Sequence, residues 1–190
     1  MANKRKLEHE SADRILANAW ELFQQKGYKG VTVDEICARC NLTKPTLYYY
    51  FHDKEDLFVT VLQHQLQLFH DVLQKPGSTR EQLVSMAVAV LDNFQAPYTV
   101  LMHNREQVQK PENQLAIREA FRGYFFNPLR ALMQAGMDSG ELHGKNAEML
   151  TLMFLGIINN FINRTAETGM DNAALAAELT DLFLGGVSNK

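Results

Sequence analysis

The stretch between residues 32 and 54 constrains the fold more than any other part of this 190-residue chain. Apolar residues recur there at helical spacing, namely Val33, Ile36, Cys37 and Cys40. This spacing predicts a short amphipathic helix, with Thr32 as its N-cap. Asn41 follows, and asparagine enters the left-handed conformation at a helix end at low cost. A second short helix, capped by Thr43, completes a predicted helix-turn-helix.

The second helix of this stretch has two unlike faces. Leu47 and Phe51 share one side, which we expect to be buried, and three consecutive tyrosines cannot all turn to the same core. An ordinary semi-buried aromatic explains one of them, but the set as a whole is typical of a face that enters a DNA groove. Lys44, Pro45, Thr46 and Tyr49 are predicted at base edges, whereas Thr32, Tyr48, Tyr50 and Lys54 are predicted at phosphates. Thr43 and His52 flank this surface and complete the candidate DNA contacts.

Composition and charge limit the classes of protein to which the chain can belong. The formal net charge is −3, yet residues 1–54 carry nine Lys and Arg against seven Asp and Glu. This small positive balance coincides with the candidate DNA-reading part and predicts modest non-specific affinity. No apolar run reaches 18 residues and the N-terminus is polar, so neither a membrane span nor a signal peptide is expected. Two cysteines without an export signal favour reduced thiols in the cytoplasm.

The rest of the chain reads as helices throughout, because strand-like alternation is absent. The expected fold is all-α, with about nine helices divided into a helix-turn-helix domain (1–52) and an effector-binding and dimerisation domain (53–190). A long helix from Asp53 to Lys75 links the two, and Ser78 with Glu81 forms a capping box for the next helix. Pro128 is predicted to kink or break a later helix. A helix from Asn146 to Gly169 follows.

The second domain contains many Met and Phe residues together with scattered polar side chains. Such residues can line an irregular apolar pocket, although at helical spacing they are more often plain core. The sequence does not separate the two interpretations. The candidate effector-binding residues are Phe69, His70, Met86, Phe94, Met102, His103, Arg105, Phe121, Tyr124, Phe125, Asn159 and Asn163.

The last two helices predict a dimer interface. The helix beginning at Asn146 is apolar nearly all round between Met149 and Ile158, so it needs neighbours on two sides. Its own domain supplies one, and a second copy of the chain supplies the other most economically. A central core helix with a cover is the alternative. The candidate interface residues are Met153, Phe154, Ile157, Ile158, Phe161, Leu175, Leu179, Leu182 and Phe183.

Other constellations point away from catalysis. Cys37 and Cys40 form a C-x-x-C pair, which leaves a thiol- or metal-responsive regulator as the alternative function. Both thiols share the apolar face of their helix, however, so packing is the favoured explanation. The six histidines show neither metal-ligand spacing nor a nucleophile nearby. We therefore predict no enzyme activity, no metal and no cofactor.

Residues 15–58 resemble the N-terminal domain of the TetR family of bacterial regulators. The matching runs are ILANAWELFQQKGY at 15–28, TVDEIC at 32–37 and LTKPTLYYYFHDKEDLF at 42–58. Departures are Cys37 and Cys40, where the family commonly has Ala, and Asn41, where it commonly has Gly. The resemblance implies a dimeric repressor of double-stranded operator DNA, and the two-fold symmetry of a dimer predicts a pseudo-palindromic operator. It also implies an effector pocket in the second domain. We expect a small apolar or amphiphilic effector there to shift the Asp53–Lys75 helix and so release the DNA.

Overall fold

The computed structural model describes residues 2–95 and 107–187, with side chains for residues 11–95 and 107–186. Every regular element in these ranges is a helix and no β-strand occurs there, which confirms the all-α class. In chain order the elements are α1 (Ala2–Gly30), α2 (Val33–Cys40), α3 (Lys44–Tyr50), α4 (Lys54–Leu73), α5 (Thr79–Asn93), α6 (Pro111–Ala120), a π-helical turn (Phe121–Phe126), α7 (Asn127–Asp138), α8 (Ala147–Phe161), α9 (Thr165–Thr168) and α10 (Asn172–Val187). In the described part of the chain, no helix is both long and apolar enough for a membrane span.

The described residues fall into two compact units. The first comprises residues 2–65 and 107–119, and the second comprises 66–95 and 120–187. This division lies within α4 and so differs from the predicted boundary after residue 52. The reason is that Lys54 at the start of α4 bonds the carbonyls of Tyr28 and Val31, while the residues before and within α6 bond Glu55 of the same helix start.

Local signals in the sequence fix the helix ends of the first unit. Gly27 interrupts α1 with φ 69°, the left-handed region that glycine enters without a Cβ penalty. Thr32 caps α2 through a full capping box with Glu35. Asn41 ends α2 with φ 52°, and Thr43 caps α3. The predicted turn is confirmed.

A buried carboxylate joins α4 to the beginning of α6 within the first unit. Glu55 accepts hydrogen bonds from the backbone N–H groups of Gln109 (3.0 Å) and Lys110 (2.9 Å) and from the Asn113 amide (2.9 Å). Lys110 also pairs with Asp53 at 2.6 Å. Because unpaired donors at a helix N-terminus seek acceptors, Glu55 organises the start of α6.

In the second unit, α10 packs along α5. Arg80 forms two hydrogen bonds to the Asp181 carboxylate, at 2.7 and 2.8 Å, and Asn172 donates to the Leu91 carbonyl at 3.2 Å. The predicted Ser78–Glu81 capping box is present at the start of α5. These bonds join α5 and α10 near both of their ends, and α8 packs against both helices.

Of the two predictions about helix continuity, one was wrong. The regular α-helix is interrupted before Pro128, because Phe121–Phe126 form a π-helical turn in which the Asn127 N–H donates to the Arg122 carbonyl and α7 begins only at Asn127. The helix that starts after Asn146 does not reach Gly169. It ends at Phe161, Asn163 adopts a left-handed φ of 59°, and the short α9 ends at Gly169 with φ 67°.

Candidate functional site

The exposed face of α3 is the candidate nucleic-acid interface. Leu47 is 2% exposed and Phe51 is 6% exposed, so they anchor the helix in the core, whereas Tyr49 on the opposite side is 71% exposed. Tyr48 is also exposed, and Tyr50 is half-buried with its ring 5.2 Å from that of Tyr49. The predicted division of this helix into a buried and an open face is confirmed. An exposed aromatic face of this kind suits contact with a groove.

Two of the threonines already serve the backbone. Thr43 caps α3 by accepting from the Thr46 N–H at 3.4 Å, and the two hydroxyls lie 2.9 Å apart. Thr32 donates its hydroxyl to the Glu35 carboxylate at 2.9 Å. A phosphate contact by the Thr32 hydroxyl would therefore require it to turn away from Glu35. Pro45 and His52 are exposed beside these residues.

Lys54 has a structural task within the first unit. Its ammonium donates to the carbonyls of Tyr28 and Val31, both at 2.9 Å, and lies 4.4 Å from the centre of the Tyr28 ring. Desolvation lowers the pKa of Lys54. Burial, followed by the charges of Glu55 and Asp53, raises the pKa of Tyr28 to about 12. An ammonium carries three N–H donors, so one remains for the predicted phosphate contact.

Ion pairs surround α2. Lys44 at the start of α3 pairs with Asp34 at 2.9 Å, and the hydrogen bond that it donates to the Asp34 carboxylate raises the pKa of Lys44. Glu35 pairs with Lys26 of α1, and this bond together with those to Thr32 lowers the pKa of Glu35 to about 2. The positive charge near the candidate interface is therefore largely balanced within the domain. No pattern in the sequence had indicated that Asp34 and Glu35 belong to this surface.

The thiols of Cys37 and Cys40 are free and buried. Burial is the main cause that raises the pKa of each. A buried thiol with a raised pKa reacts slowly, because the thiolate is the reactive and metal-binding form. Among the described side chains, no group of three His, Cys, Asp or Glu residues is arranged to hold a metal ion. This geometry favours packing over the sensor alternative.

Part of the predicted effector site gathers into one aromatic cluster in the second unit. The Phe69 ring stacks on Phe94 at 5.4 Å and meets Phe125 edge-on at 5.1 Å, while Phe121 lies 5.2 Å from Phe125. Met86 is fully buried in the same unit. His70 lies beside Tyr124, with ring centres 6.0 Å apart, and its Nδ1 is buried without a hydrogen-bond partner. The cluster provides apolar surface, and the His70 Nδ1 is an unsatisfied polar atom of the same unit.

The remaining effector candidates divide into two groups. Met102, His103 and Arg105 lie outside the described residues. Asn163 is exposed just after the end of α8, with a left-handed φ of 59°. Asn159 is half-buried on α8.

The predicted interface residues do not share one face. Five of them are buried within the subunit and cannot meet a partner, which corrects the prediction: Phe154, Ile158, Leu175, Leu179 and Phe183. Ile157 and Phe161 are half-buried. Met153 and Leu182 are exposed, at 49% and 65%, and they are joined by two residues that the sequence analysis missed, Met149 and Leu152. Sequence periodicity showed that α8 has two apolar faces but not which one the subunit covers.

Comparison with known proteins places this arrangement in a family. Residues 15–61 match the model described as bacterial regulatory proteins of the tetR family, and residues 76–187 match the tetracyclin repressor-like C-terminal domain. The fatty acid metabolism regulator protein of Bacillus subtilis is 21% identical over 186 residues, which cover 93% of this chain and 95% of that protein. The biofilm operon negative regulator IcaR of Staphylococcus aureus is 44% identical over 46 residues, covering 24% and 25% of the two chains.

Solved structures show the same fold. A tetR-family regulatory protein from Rhodococcus superposes with a TM-score of 0.75 at 22% identity, covering 95% of this chain and 98% of that one. FadR from Bacillus subtilis in complex with stearoyl-CoA gives a TM-score of 0.68 at 20% identity, covering 91% and 97%. With both parts of the chain matched by family models, the exposed α3 face belongs to a DNA-binding helix-turn-helix, and the chain belongs to the TetR family of transcriptional regulators.

Proposed function

We propose that the protein is a homodimeric repressor that leaves its operator when it binds an amphiphilic effector. The observation that carries the DNA-binding part is the open face of α3, where Tyr49, at 71% exposed, is the most exposed large hydrophobic residue in the described part of the chain. Lys44, Pro45 and Thr46 lie in the first turn of the same helix. In helix-turn-helix proteins the N-terminal residues of the second helix contact base edges. Repression of this kind takes place in the cytoplasm, where the DNA is.

An uncovered apolar stripe supports the dimer. Met149, Leu152 and Met153 follow i, i+3, i+4 spacing on α8 and are all about half exposed, and Leu182 protrudes from α10. The two helices pack against each other, so these residues belong to one unit. Large exposed apolar patches are uncommon on monomers. Two-fold pairing through this stripe predicts a dimer with two helix-turn-helix domains and therefore a pseudo-palindromic operator.

The dimer has a direct test. Leu182→Glu places a charge in the proposed interface, while the exposed Leu115 on α6 of the first unit allows the matched change Leu115→Glu. We expect sedimentation to show a dimer for the wild type and for Leu115→Glu, and a shift towards monomer for Leu182→Glu. A dimer of unchanged strength in Leu182→Glu contradicts the proposed stripe.

The proposed effector class is a long-chain acyl thioester. The support is the aromatic cluster around Phe69 and Phe125 together with the unpartnered His70 Nδ1, which offers a polar anchor next to apolar surface. The FadR protein of Bacillus subtilis, which shares the fold, binds stearoyl-CoA. An acyl chain that enters this cluster must separate packed rings, so binding would favour a different arrangement of the second unit.

The effector can act on DNA only through different affinities for two states of the protein. Helix α4 is the structural candidate for the link between effector and DNA, because its first residues belong to the unit that contains the helix-turn-helix and its last residues belong to the second unit. Phe69 and His70 lie near the end of this helix. Displacement of these two residues would therefore act directly on α4.

DNA binding is tested with Tyr49→Ala, and Tyr124→Ala serves as the matched control because it removes another exposed tyrosine, outside the helix-turn-helix. Binding to the promoter region of the chain's own gene is measured without effector. We expect Tyr49→Ala to lose discrimination against scrambled DNA and Tyr124→Ala to keep it. Equal behaviour of both variants and the wild type contradicts the assigned face.

The effector class is tested with stearoyl-CoA, stearate and coenzyme A as separate probes. We expect stearoyl-CoA to raise the melting temperature and release the DNA, because a ligand at 100 times its Kd stabilises the native state by about 2.7 kcal/mol. Coenzyme A alone, which lacks the acyl chain, should do neither. If His70→Leu binds stearoyl-CoA as well as the wild type does, the polar anchor is wrong.

A further inference from the structure

The first residue of α3 is held by an acidic partner at the face that we propose for DNA. The Lys44 Nζ lies 2.9 Å from the Asp34 Oδ1, and the side chains are 50% and 75% exposed. A carboxylate this close to the ammonium cancels its charge and repels a phosphate that approaches from the same side. Exposed ion pairs of this kind contribute little to stability, so folding does not explain the arrangement.

Neighbouring basic side chains of the same unit also have partners within the protein. Lys26 of α1 pairs with Glu35, and Arg39 of α2 pairs with Glu21. Lys54 is turned to two backbone carbonyls. A protein that relied on charge to bind DNA would leave such groups free, because neutralised phosphates release counterions and drive non-specific binding. Among these pairs, that of Lys44 and Asp34 alone includes a residue of α3.

We propose that Asp34 is a specificity-determining residue. On non-matching DNA it keeps Lys44 in an ion pair, and Lys44 leaves this pair only where a matching base edge offers a hydrogen-bond acceptor. Guanine presents two acceptors, O6 and N7, in the major groove, and a lysine at the start of a recognition helix can bind them. At such a site Lys44 exchanges one strong acceptor for another. At a non-matching site it gains only a phosphate and loses Asp34. The inference rests on the proposed DNA-binding function and adds a source of discrimination to it.

Removal of the Asp34 charge should strengthen the wrong contacts most. In Asp34→Asn, the Lys44 of each subunit becomes available to neutralise one additional DNA phosphate. Since log K falls with log salt by about 0.9 for each neutralised phosphate, binding should weaken by an additional factor of about 3.5 per subunit, or about 12 per dimer, between 50 and 200 mM salt. Affinity for random DNA at low salt should rise, and the ratio of specific to non-specific affinity should fall.

The experiment uses the full chain and two labelled duplexes of equal length in fluorescence anisotropy. One is the sequence that the wild type selects from a randomised pool, and the other is its scrambled version. Glu21→Gln is the matched control, because it also removes one negative charge and frees an arginine on α2, but not on α3. We expect Asp34→Asn to tighten binding to the scrambled duplex several-fold more than Glu21→Gln does. Adding Lys44→Met should abolish the gain.

Two results overturn the inference while the proposed function stands. Equal gains in Asp34→Asn and Glu21→Gln show that only total charge matters. Weaker binding of Asp34→Asn to both duplexes shows that Asp34 positions Lys44 for contact instead of restraining it. If the wild type selects no sequence from the pool, the proposed DNA-binding function itself fails.

Discussion

Replacement of Glu55 by glutamine should destabilise the helix-turn-helix unit more than any change of the same size on its surface. The Glu55 carboxylate is buried and accepts three hydrogen bonds, two of them from backbone N–H groups. Glutamine keeps the shape but turns one acceptor oxygen into a donor, so one of these N–H groups faces an NH₂ group. A hydrogen bond to a charged group contributes about 1.5–3 kcal/mol and a buried unsatisfied donor costs about 1–3 kcal/mol. We expect a loss of about 2–4 kcal/mol in the free energy of unfolding.

The measurement can be confined to the first unit. Trp20, the sole tryptophan of the chain, is buried in α1 of this unit, so its fluorescence during urea unfolding reports on the part that contains Glu55. Glu112→Gln is the control, because Glu112 is exposed in the first turn of α6 and undergoes the same chemical change. Its free energy of unfolding should stay within about 0.5 kcal/mol of the wild type.

The pH dependence gives the prediction a second check. Burial by itself raises the pKa of Glu55, but the hydrogen bonds from Gln109, Lys110 and Asn113 outweigh it and hold the pKa below the ordinary value. A carboxyl with a lowered folded pKa adds stability above its unfolded pKa of about 4.3 and loses it as the pH falls through the folded pKa. The difference between wild type and Glu55→Gln should therefore be full at pH 7 and shrink below about pH 4. The reasoning is refuted if Glu55→Gln unfolds like Glu112→Gln, or if their difference is unchanged at pH 3.

Two further predictions concern the second unit and use thermal unfolding followed by circular dichroism. Thr180 and Thr151 are both fully buried, but the Thr180 hydroxyl has no partner whereas that of Thr151 donates to a carbonyl at 2.8 Å. Thr180→Val should therefore stabilise by about 1 kcal/mol and Thr151→Val should destabilise by a similar amount; equal effects contradict this. A Cβ on Gly136 would lie 2.8 Å from the buried Leu142 side chain, whereas one on Gly123 meets nothing within 4 Å. Gly136→Ala should cost about 1–3 kcal/mol and Gly123→Ala should not; a neutral Gly136→Ala shows that Leu142 yields freely.

Helix ends and the reading face were accessible from the sequence, because they depend on neighbours within a few positions. Thr32 directly before the first apolar position is enough to predict the N-cap of α2, and Asn41 is enough to end the helix. The alternation of Leu47 and Phe51 with the tyrosines fixes which side of α3 is buried whatever lies beyond it. The family resemblance of residues 15–58 rests on the same local signals.

Contacts between distant segments were decided only by the tertiary structure. Periodicity showed two apolar faces on α8, but the packing of α5 and α10 determined that Phe154 turns inward and Met149 outward. Lys54 was predicted to contact a phosphate because it follows α3 closely in the sequence. Its partners in the structure, the carbonyls of Tyr28 and Val31, lie more than 20 residues away, so no local signal indicated them. Glu55 gave no local signal at all, since its partners lie 54 to 58 residues further along the chain. Local hydrogen bonding and periodicity are properties of the sequence, whereas the partner of a buried charge and the choice of buried face depend on how the chain is brought together in space.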